Sequence, residues 1–261
     1  MRRRLLLTVT AALAAVVVAL TGGAGTAQAN ADSLRGPITQ AFETLAGGGQ
    51  PEQVVQRVVA IFEGVRGDIL SELDQVVAAD ARVCARRHVV EFAAVVALSP
   101  AAAQAWASDA TSCTALIEGL LATATDKATV DKLGLAVNVV GPIAMTARLH
   151  VGFANDALRL VLVRAGKAVI RKIEPTCYEG PVYEDDSNVY ELWFVCYAYN
   201  YSSGSGGRAE AYQLFLLPPG CEPWHGCEAT PLGPPVDKER IRLESSRNTS
   251  WAVAATVLPL I

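Results

Sequence analysis

Six cysteines constrain the fold of this 261-residue chain more than any other feature of its sequence. An even number of cysteines in an exported chain is typical of disulfide bonds, although spacing alone does not choose among the possible pairings. We expect nearest-neighbour pairing, because each consecutive pair falls within one local supersecondary unit. The predicted bonds are Cys84–Cys113 between two helices, Cys177–Cys196 between neighbouring strands, and Cys221–Cys227 across a short loop.

The amino terminus has the order of a secretory signal peptide. A basic cluster, Arg2–Arg4, precedes the apolar run Leu5–Leu20, and small residues with an Ala-x-Ala cleavage pattern end at Ala29. This order of charge, apolar core and small residues predicts a signal peptide at residues 1–29 rather than a membrane anchor. We therefore expect a secreted, extracellular bacterial protein whose cysteines meet an oxidising environment.

The charge balance argues against a nucleic-acid partner. The chain has 22 Lys and Arg residues against 26 Asp and Glu residues, and three of the arginines lie in the leader. The sequence shows no basic cluster after residue 29, so a general attraction to phosphate backbones is not expected.

The longest later apolar segment is Leu133–Ala147. It is shorter than the roughly 20 residues that a spanning helix needs, and it contains Pro142. We expect a buried core helix broken at Pro142, and no stable membrane span once the signal is removed. A segment that enters membranes after a conformational change is the alternative.

The hydrophobic pattern divides the chain near residue 157. Apolar residues recur at three- and four-residue steps through Pro51–Ala78, and helical patterns continue to about residue 140. The later part is richer in aromatic and β-branched residues, which favour strands. The prediction is an α+β fold, with an N-terminal helical bundle-like region at 30–157 and a β-rich region at 158–261 that holds a disulfide-tied antiparallel β-sheet.

Within the second region, the hairpin is the clearest element. Asn188–Tyr201 and Arg208–Leu217 predict two strands around a Ser/Gly turn. Residues 158–174 are compatible with helix or hairpin, and we favour a helix followed by a strand at Val169–Ile173. Glu239–Ser245 and Ser250–Ile261 are predicted to be closing strands.

Aromatic side chains concentrate on the predicted hairpin, since all seven tyrosines lie between Tyr178 and Tyr212. Strand side chains alternate between faces, so one face would present aromatics and the other would join the core. An exposed row of flat, polar-tipped rings suits a glycan or a peptide. The alternatives are that helices cover this face or that the rings form cross-strand pairs. The candidate ligand-binding residues are Trp193, Tyr197, Tyr199, Tyr201 and Trp224.

The loop that holds Trp224 also contains three metal-ligating residue types. Cys221, His225 and Cys227 offer three of the four ligands that zinc requires, and their spacing matches no common zinc motif. A disulfide-closed loop is therefore expected, with neither a metal nor a cofactor. Its Trp224 would either point outward from the rigid loop and contact a ligand, or fold back and pack on the sheet.

No catalytic constellation stands out in the sequence. The weak candidates are His88 and Glu91 on adjacent helical turns, but a zinc-protease pattern needs a second histidine at position 92, which is Phe92. The Gly-x-Ser-x-Gly nucleophile elbow is missing, and an unpaired thiol is not expected.

These observations lead to three hypotheses, and no segment carries the signature of a known family. The first is a secreted bacterial binding or interaction protein without catalytic activity, whose partner is an extracellular glycan, a cell-envelope component or a protein. The second is an exported hydrolase with an unrecognised active site, and the third is a membrane-active protein.

Overall fold

A computed structural model describes residues 31–183, 189–203, 206–218, 220 and 228–261. The predicted signal peptide lies outside these residues, as do the predicted Cys221–Cys227 bond and Trp224. In the described part of the chain, helices come first and an antiparallel sheet follows, which confirms the predicted α+β class.

The helices that precede the sheet form a bundle. They are α1 (Ala31–Ala46), α2 (Pro51–Gly64), α3 (Arg66–Leu73), α4 (Ala79–Glu91), α5 (Pro100–Thr123), α6 (Lys127–His150) and α7 (Asp156–Lys172), with a 3-10 segment at Phe92–Ala97. The predicted helix over Pro51–Ala78 is two helices, because Val65 leaves helical geometry (φ −125°, ψ 15°). At the start of helix α5, the Ser99 side chain accepts a hydrogen bond from the backbone N–H of Ala102, and Pro100 lies in the first turn.

Helix α6 is the centre of the bundle. It is long and apolar enough to cross a membrane, but 83% of that apolar window is buried inside the protein. The predicted core helix is confirmed, whereas the predicted break at Pro142 is wrong because α6 continues to His150. The helix is tightly packed at this point: a Cβ added at Gly141 would lie 2.5 Å from Leu162. The Thr146 hydroxyl also bonds the Pro142 carbonyl at 2.7 Å.

Helix α7 resolves the ambiguous segment after residue 157. It runs to Lys172, so the predicted strand at Val169–Ile173 is wrong. Leu158, Leu162 and Val169 recur on one buried face, and this helical spacing packs α7 against the bundle.

The sheet has four antiparallel strands in sequence order. They are β1 (Thr176–Tyr183), β2 (Val189–Tyr197), β3 (Arg208–Leu216) and β4 (Thr230–Leu232). Cys177 and Cys196 are direct cross-strand partners and form a disulfide, while a second disulfide, Cys84–Cys113, joins α4 to α5. Two of the three predicted pairings are therefore confirmed.

Two short helices close the described chain, where strands were predicted. Helix α8 spans Lys238–Ser245 and α9 spans Ser250–Val257, followed by a 3-10 turn at Leu258–Leu260. Asp237 caps α8 by accepting a hydrogen bond from the backbone N–H of Arg240 at 3.0 Å. Helix α9 is buried on nearly all sides, and a short apolar run of this kind has no periodicity that separates a helix from a strand.

Helix α8 covers one face of the sheet, which we call the inner face. Its Ile241 packs against Phe194, Cys196 and Ala209 in a small core separate from that of the bundle. The burial of Phe194, Cys196 and Ala198 agrees with the predicted core face of the hairpin. The opposite side, on which β1, β2 and β3 each place every second side chain, is the outer face.

Candidate functional site: the outer face of the sheet

Strand register determines which side chains meet on the outer face. Cross-strand partners point to the same side of a sheet. The rows across β1, β2 and β3 are Thr176–Tyr197–Arg208, Tyr178–Val195–Glu210 and Gly180–Trp193–Tyr212. The register therefore gathers the predicted Trp193 and Tyr197 with four residues that the sequence analysis did not select: Tyr178, Arg208, Glu210 and Tyr212.

The tyrosine rings form a contiguous group on this face. Tyr197 lies between Tyr178 and Tyr201, with ring centroids 6.1 Å and 4.8 Å away. Tyr178, Tyr201 and Tyr212 are 59%, 44% and 49% exposed, so their rings remain available to a ligand. Val195 is fully buried on the same side, because its larger neighbours cover the middle of the sheet.

Arg208 occupies the centre of the group. Its guanidinium carbon lies 6.0 Å from the ring centroid of Trp193 and 5.9 Å from that of Tyr197. A cation at this distance from two rings is attracted by their π-electrons. The hydrogen bond with Tyr197, and to a smaller extent the hydrogen bond with Glu210, raises the pKa of Arg208.

Glu210 connects the cation to the indole. Its carboxylate accepts a hydrogen bond from Trp193 Nε1 at 2.9 Å and another from Arg208 Nη1 at 3.0 Å. These bonds fix the edge of the Trp193 ring and the plane of the guanidinium in one arrangement. Desolvation, followed by the Glu210 charge, raises the pKa of Tyr212.

Gly180 leaves a gap beside Trp193. It is the β1 partner of that residue, and a Cβ added there would meet nothing within 4 Å. The direct β1 partner of Trp193 therefore places no side chain beside the indole. The outer face thus combines a ring surface with an open edge and a fixed set of polar groups.

Tyr199 does not lie on the outer face, although strand alternation predicted that it would. Strand β2 ends at Tyr197, and the Tyr199 ring is packed against the bundle core. Its hydroxyl donates a hydrogen bond to Asp131 on α6 at 2.9 Å. Tyr201, by contrast, returns to the outer face from a 3-10 turn and contacts Tyr197.

The weak catalytic candidates, His88 and Glu91, differ in their exposure to solvent. His88 is fully buried with its ring edge-on to Trp106, and its Nε2 lies 3.4 Å from Asp109 Oδ2 without the geometry of a hydrogen bond. Desolvation, and secondly the charge of Arg87, lowers the pKa of His88 to about 4. Glu91 is exposed and accepts a hydrogen bond from Trp106 Nε1 at 2.8 Å. The two side chains therefore do not share a solvent-accessible cleft.

In the described residues, no three or more His, Cys, Asp or Glu side chains are grouped so as to hold a metal ion. The fold and the outer face define a class: a disulfide-linked α+β protein whose sheet exposes a fixed aromatic and ionic surface. No family model matches the chain, and neither the curated proteins nor the solved structures gave a match.

Proposed function

We propose that the protein is a secreted, non-catalytic binding protein whose outer face holds a carbohydrate chain. The contact residues would be Trp193, Tyr197 and Tyr201 from the original prediction, together with Tyr178 and Arg208. The observation that carries this proposal is the position of Arg208 between the Trp193 and Tyr197 rings, fixed by Glu210.

A sugar ring fits this surface for two reasons. Its C–H face can lie on an aromatic ring, and its hydroxyl groups can bond to the polar groups between the rings. Arg208 and Glu210 offer a donor and an acceptor side by side, and the tyrosine hydroxyls add groups that both donate and accept. A purely apolar partner would leave these groups without new hydrogen bonds.

The ordering of the site favours binding without a large entropic cost. Aromatic side chains have few rotatable bonds, and the bonds to Glu210 restrain both Trp193 and Arg208 before a ligand arrives. The disulfide between Cys177 and Cys196 links the two strands that carry Tyr178 and Tyr197.

The extracellular location is part of the same proposal. The disulfides within the bundle and the sheet fit an oxidising environment, and the signal-peptide pattern at residues 1–29 supplies the route of export. Glycans are abundant on the outer side of cell envelopes, where such a protein would meet them.

A panel of immobilised oligosaccharides tests the proposal, followed by calorimetry of each ligand that binds. Trp193→Ala and Tyr197→Ala should weaken binding at least tenfold. The far-ultraviolet circular dichroism spectrum should stay unchanged, and thermal unfolding should remain cooperative. Tyr190→Ala is the matched control, because Tyr190 belongs to β2 but stacks on Phe215 at the other side of the sheet. The proposal fails if no oligosaccharide binds, or if the Tyr190 variant loses binding as much as the Trp193 variant does.

A further inference from the structure

The inner face of the sheet contains a second feature, independent of the outer face. An open cavity of about 470 Å³ lies between the sheet and the segment that connects β4 to α8. This volume is within the range of roughly 300–1,000 Å³ that small-molecule sites occupy. Its apolar lining consists of Leu192, Phe194, Phe215, Pro231, Pro235 and Val236.

The cavity exists because two elements cover different parts of the inner face. Ile241 of α8 packs over one part, against Phe194. The connecting segment crosses the remainder through Gly233, which has a left-handed φ of +89°, and then through Pro235. Proline restricts the backbone, so this segment cannot readily collapse onto the sheet to fill the space.

Gln213 supplies a polar group in the lining. The residue is only 6% exposed, and its Nε2 donates to the Leu232 carbonyl at 3.3 Å. That bond directs the amide nitrogen to β4 and leaves Oε1 buried without a hydrogen-bond partner among the described residues. A buried acceptor without a partner is costly, and a donor on a bound molecule would satisfy it.

The charges at the cavity compensate each other. Lys238 Nζ lies 2.6 Å from Glu179 Oε2, and the same ammonium is 5.3 Å from the Phe194 ring centroid. Since the lysine already has an anionic partner and the buried amide oxygen can only accept, the lining favours an uncharged ligand with a donor.

We propose that this cavity binds an uncharged apolar molecule that carries one hydrogen-bond donor, of the class of alkylphenols and long-chain alcohols. The apolar body would lie among the six apolar side chains, and the hydroxyl would donate to Gln213 Oε1. The Lys238–Glu179 pair remains intact at the rim.

Three matched probes test the ligand class: para-octylphenol, its methyl ether and para-octylbenzoate. Binding is measured by calorimetry on the purified protein. The phenol should bind about 3- to 10-fold more tightly than the ether, which has no donor. The benzoate should bind more weakly than the phenol, because its carboxylate also lacks a donor.

Two variants locate the site. Gln213→Leu should remove the preference for the phenol over the ether, and Val236→Trp should fill the cavity and abolish binding of both. Trp193→Ala, on the outer face, should bind all three probes as the wild type does, so this test is separate from the oligosaccharide test. The inference is overturned if the folded protein binds neither phenol nor ether, if the preference survives Gln213→Leu, or if binding survives Val236→Trp.

Discussion

The hydroxyl of Tyr199 donates a 2.9 Å hydrogen bond to the carboxylate of Asp131, and this bond joins the chain after β2 to the central helix α6. The same carboxylate accepts a 2.6 Å bond from the backbone N–H of Ser250, at the start of α9. Asp131 is 7% exposed and therefore connects the sheet, α6 and α9 at one buried point. Desolvation raises its pKa, and the bonds from Ser250 and Tyr199 oppose that change.

Replacing Tyr199 with phenylalanine should destabilise the protein by about 1 to 3 kcal/mol, because a buried acceptor loses one donor. The free energy of unfolding in guanidinium chloride measures this. Tyr201→Phe is the control, since Tyr201 is exposed and its substitution should cost less than about 0.5 kcal/mol. Equal effects of the two substitutions would contradict the role of Asp131 as a buried connection.

Position 134 on α6 has no room for a side chain. A Cβ there would lie 2.4 Å from Ser250 Oγ and 2.8 Å from Val169 Cγ2, so Gly134→Ala should cost about 1 to 3 kcal/mol through overpacking. Gly119 is a matched helical glycine with nothing within 4 Å of its added Cβ, and Gly119→Ala should stabilise by about 0.5 to 1 kcal/mol. Thermal unfolding of both variants checks the opposite signs, and a stabilised Gly134 variant would refute the close contact with α9.

His88 should make stability fall on acidification. Its folded pKa of about 4 is below the ordinary histidine pKa of 6.5, so the unfolded chain binds a proton first. The part of the unfolding free energy that depends on neutral His88 is fully present above pH 6.5. It is lost as the pH falls toward 4, and the total loss is about 3 kcal/mol. The measurement is the free energy of unfolding as a function of pH.

The variant His88→Met isolates this contribution, because it removes the titrating group and leaves its carboxylate neighbour Asp109, 3.4 Å from His88 Nε2, in place. The difference in stability between wild type and variant should shift in favour of the variant as the pH falls. His150→Gln, at the partly exposed end of α6, is the control for replacing a histidine outside the buried core. A difference that is constant between pH 7 and pH 4 would show that His88 does not titrate as described.

The two described disulfides should stabilise the fold mainly by restricting the unfolded chain. Cys84–Cys113 spans 29 residues and Cys177–Cys196 spans 19, and loops of these lengths correspond to about 3 to 4 kcal/mol each. Double alanine substitution of either pair, followed by chemical unfolding, measures the loss. Peptide mapping without reduction should recover both pairs and tests the predicted Cys221–Cys227 bond. If a double alanine variant is as stable as the wild type, the disulfide that it lacks does not stabilise the fold.

Local sequence patterns were sufficient for part of this fold. The Cys84–Cys113 and Cys177–Cys196 bonds were predictable because each closes a unit of adjacent elements. The helix start at Ser99 was predictable from a capping residue followed by proline. The identity of α8 and α9 was not, because short apolar or mixed segments lack a decisive period and packing determines their structure.

The outer face was only partly predictable. Alternation along one strand selects Trp193 and Tyr197, but Arg208 and Glu210 come from β3 and depend on the register across the turn. That register was accessible in principle, since pairing Tyr197 with Arg208 places Tyr212 opposite Trp193. The departure of Tyr199 depends on Asp131, 68 residues away in sequence, for which no local signal exists.

The Trp193 indole N–H provides the most direct test of the central claim, because it is bonded to Glu210 within the proposed site. We would record proton–nitrogen correlation spectra of the labelled protein while adding an oligosaccharide that binds in the panel. The Trp193 signal should shift in a saturable way while those of Trp106 and Trp251, among the helices, stay in place. A Trp193 signal that does not move when the oligosaccharide binds would contradict it.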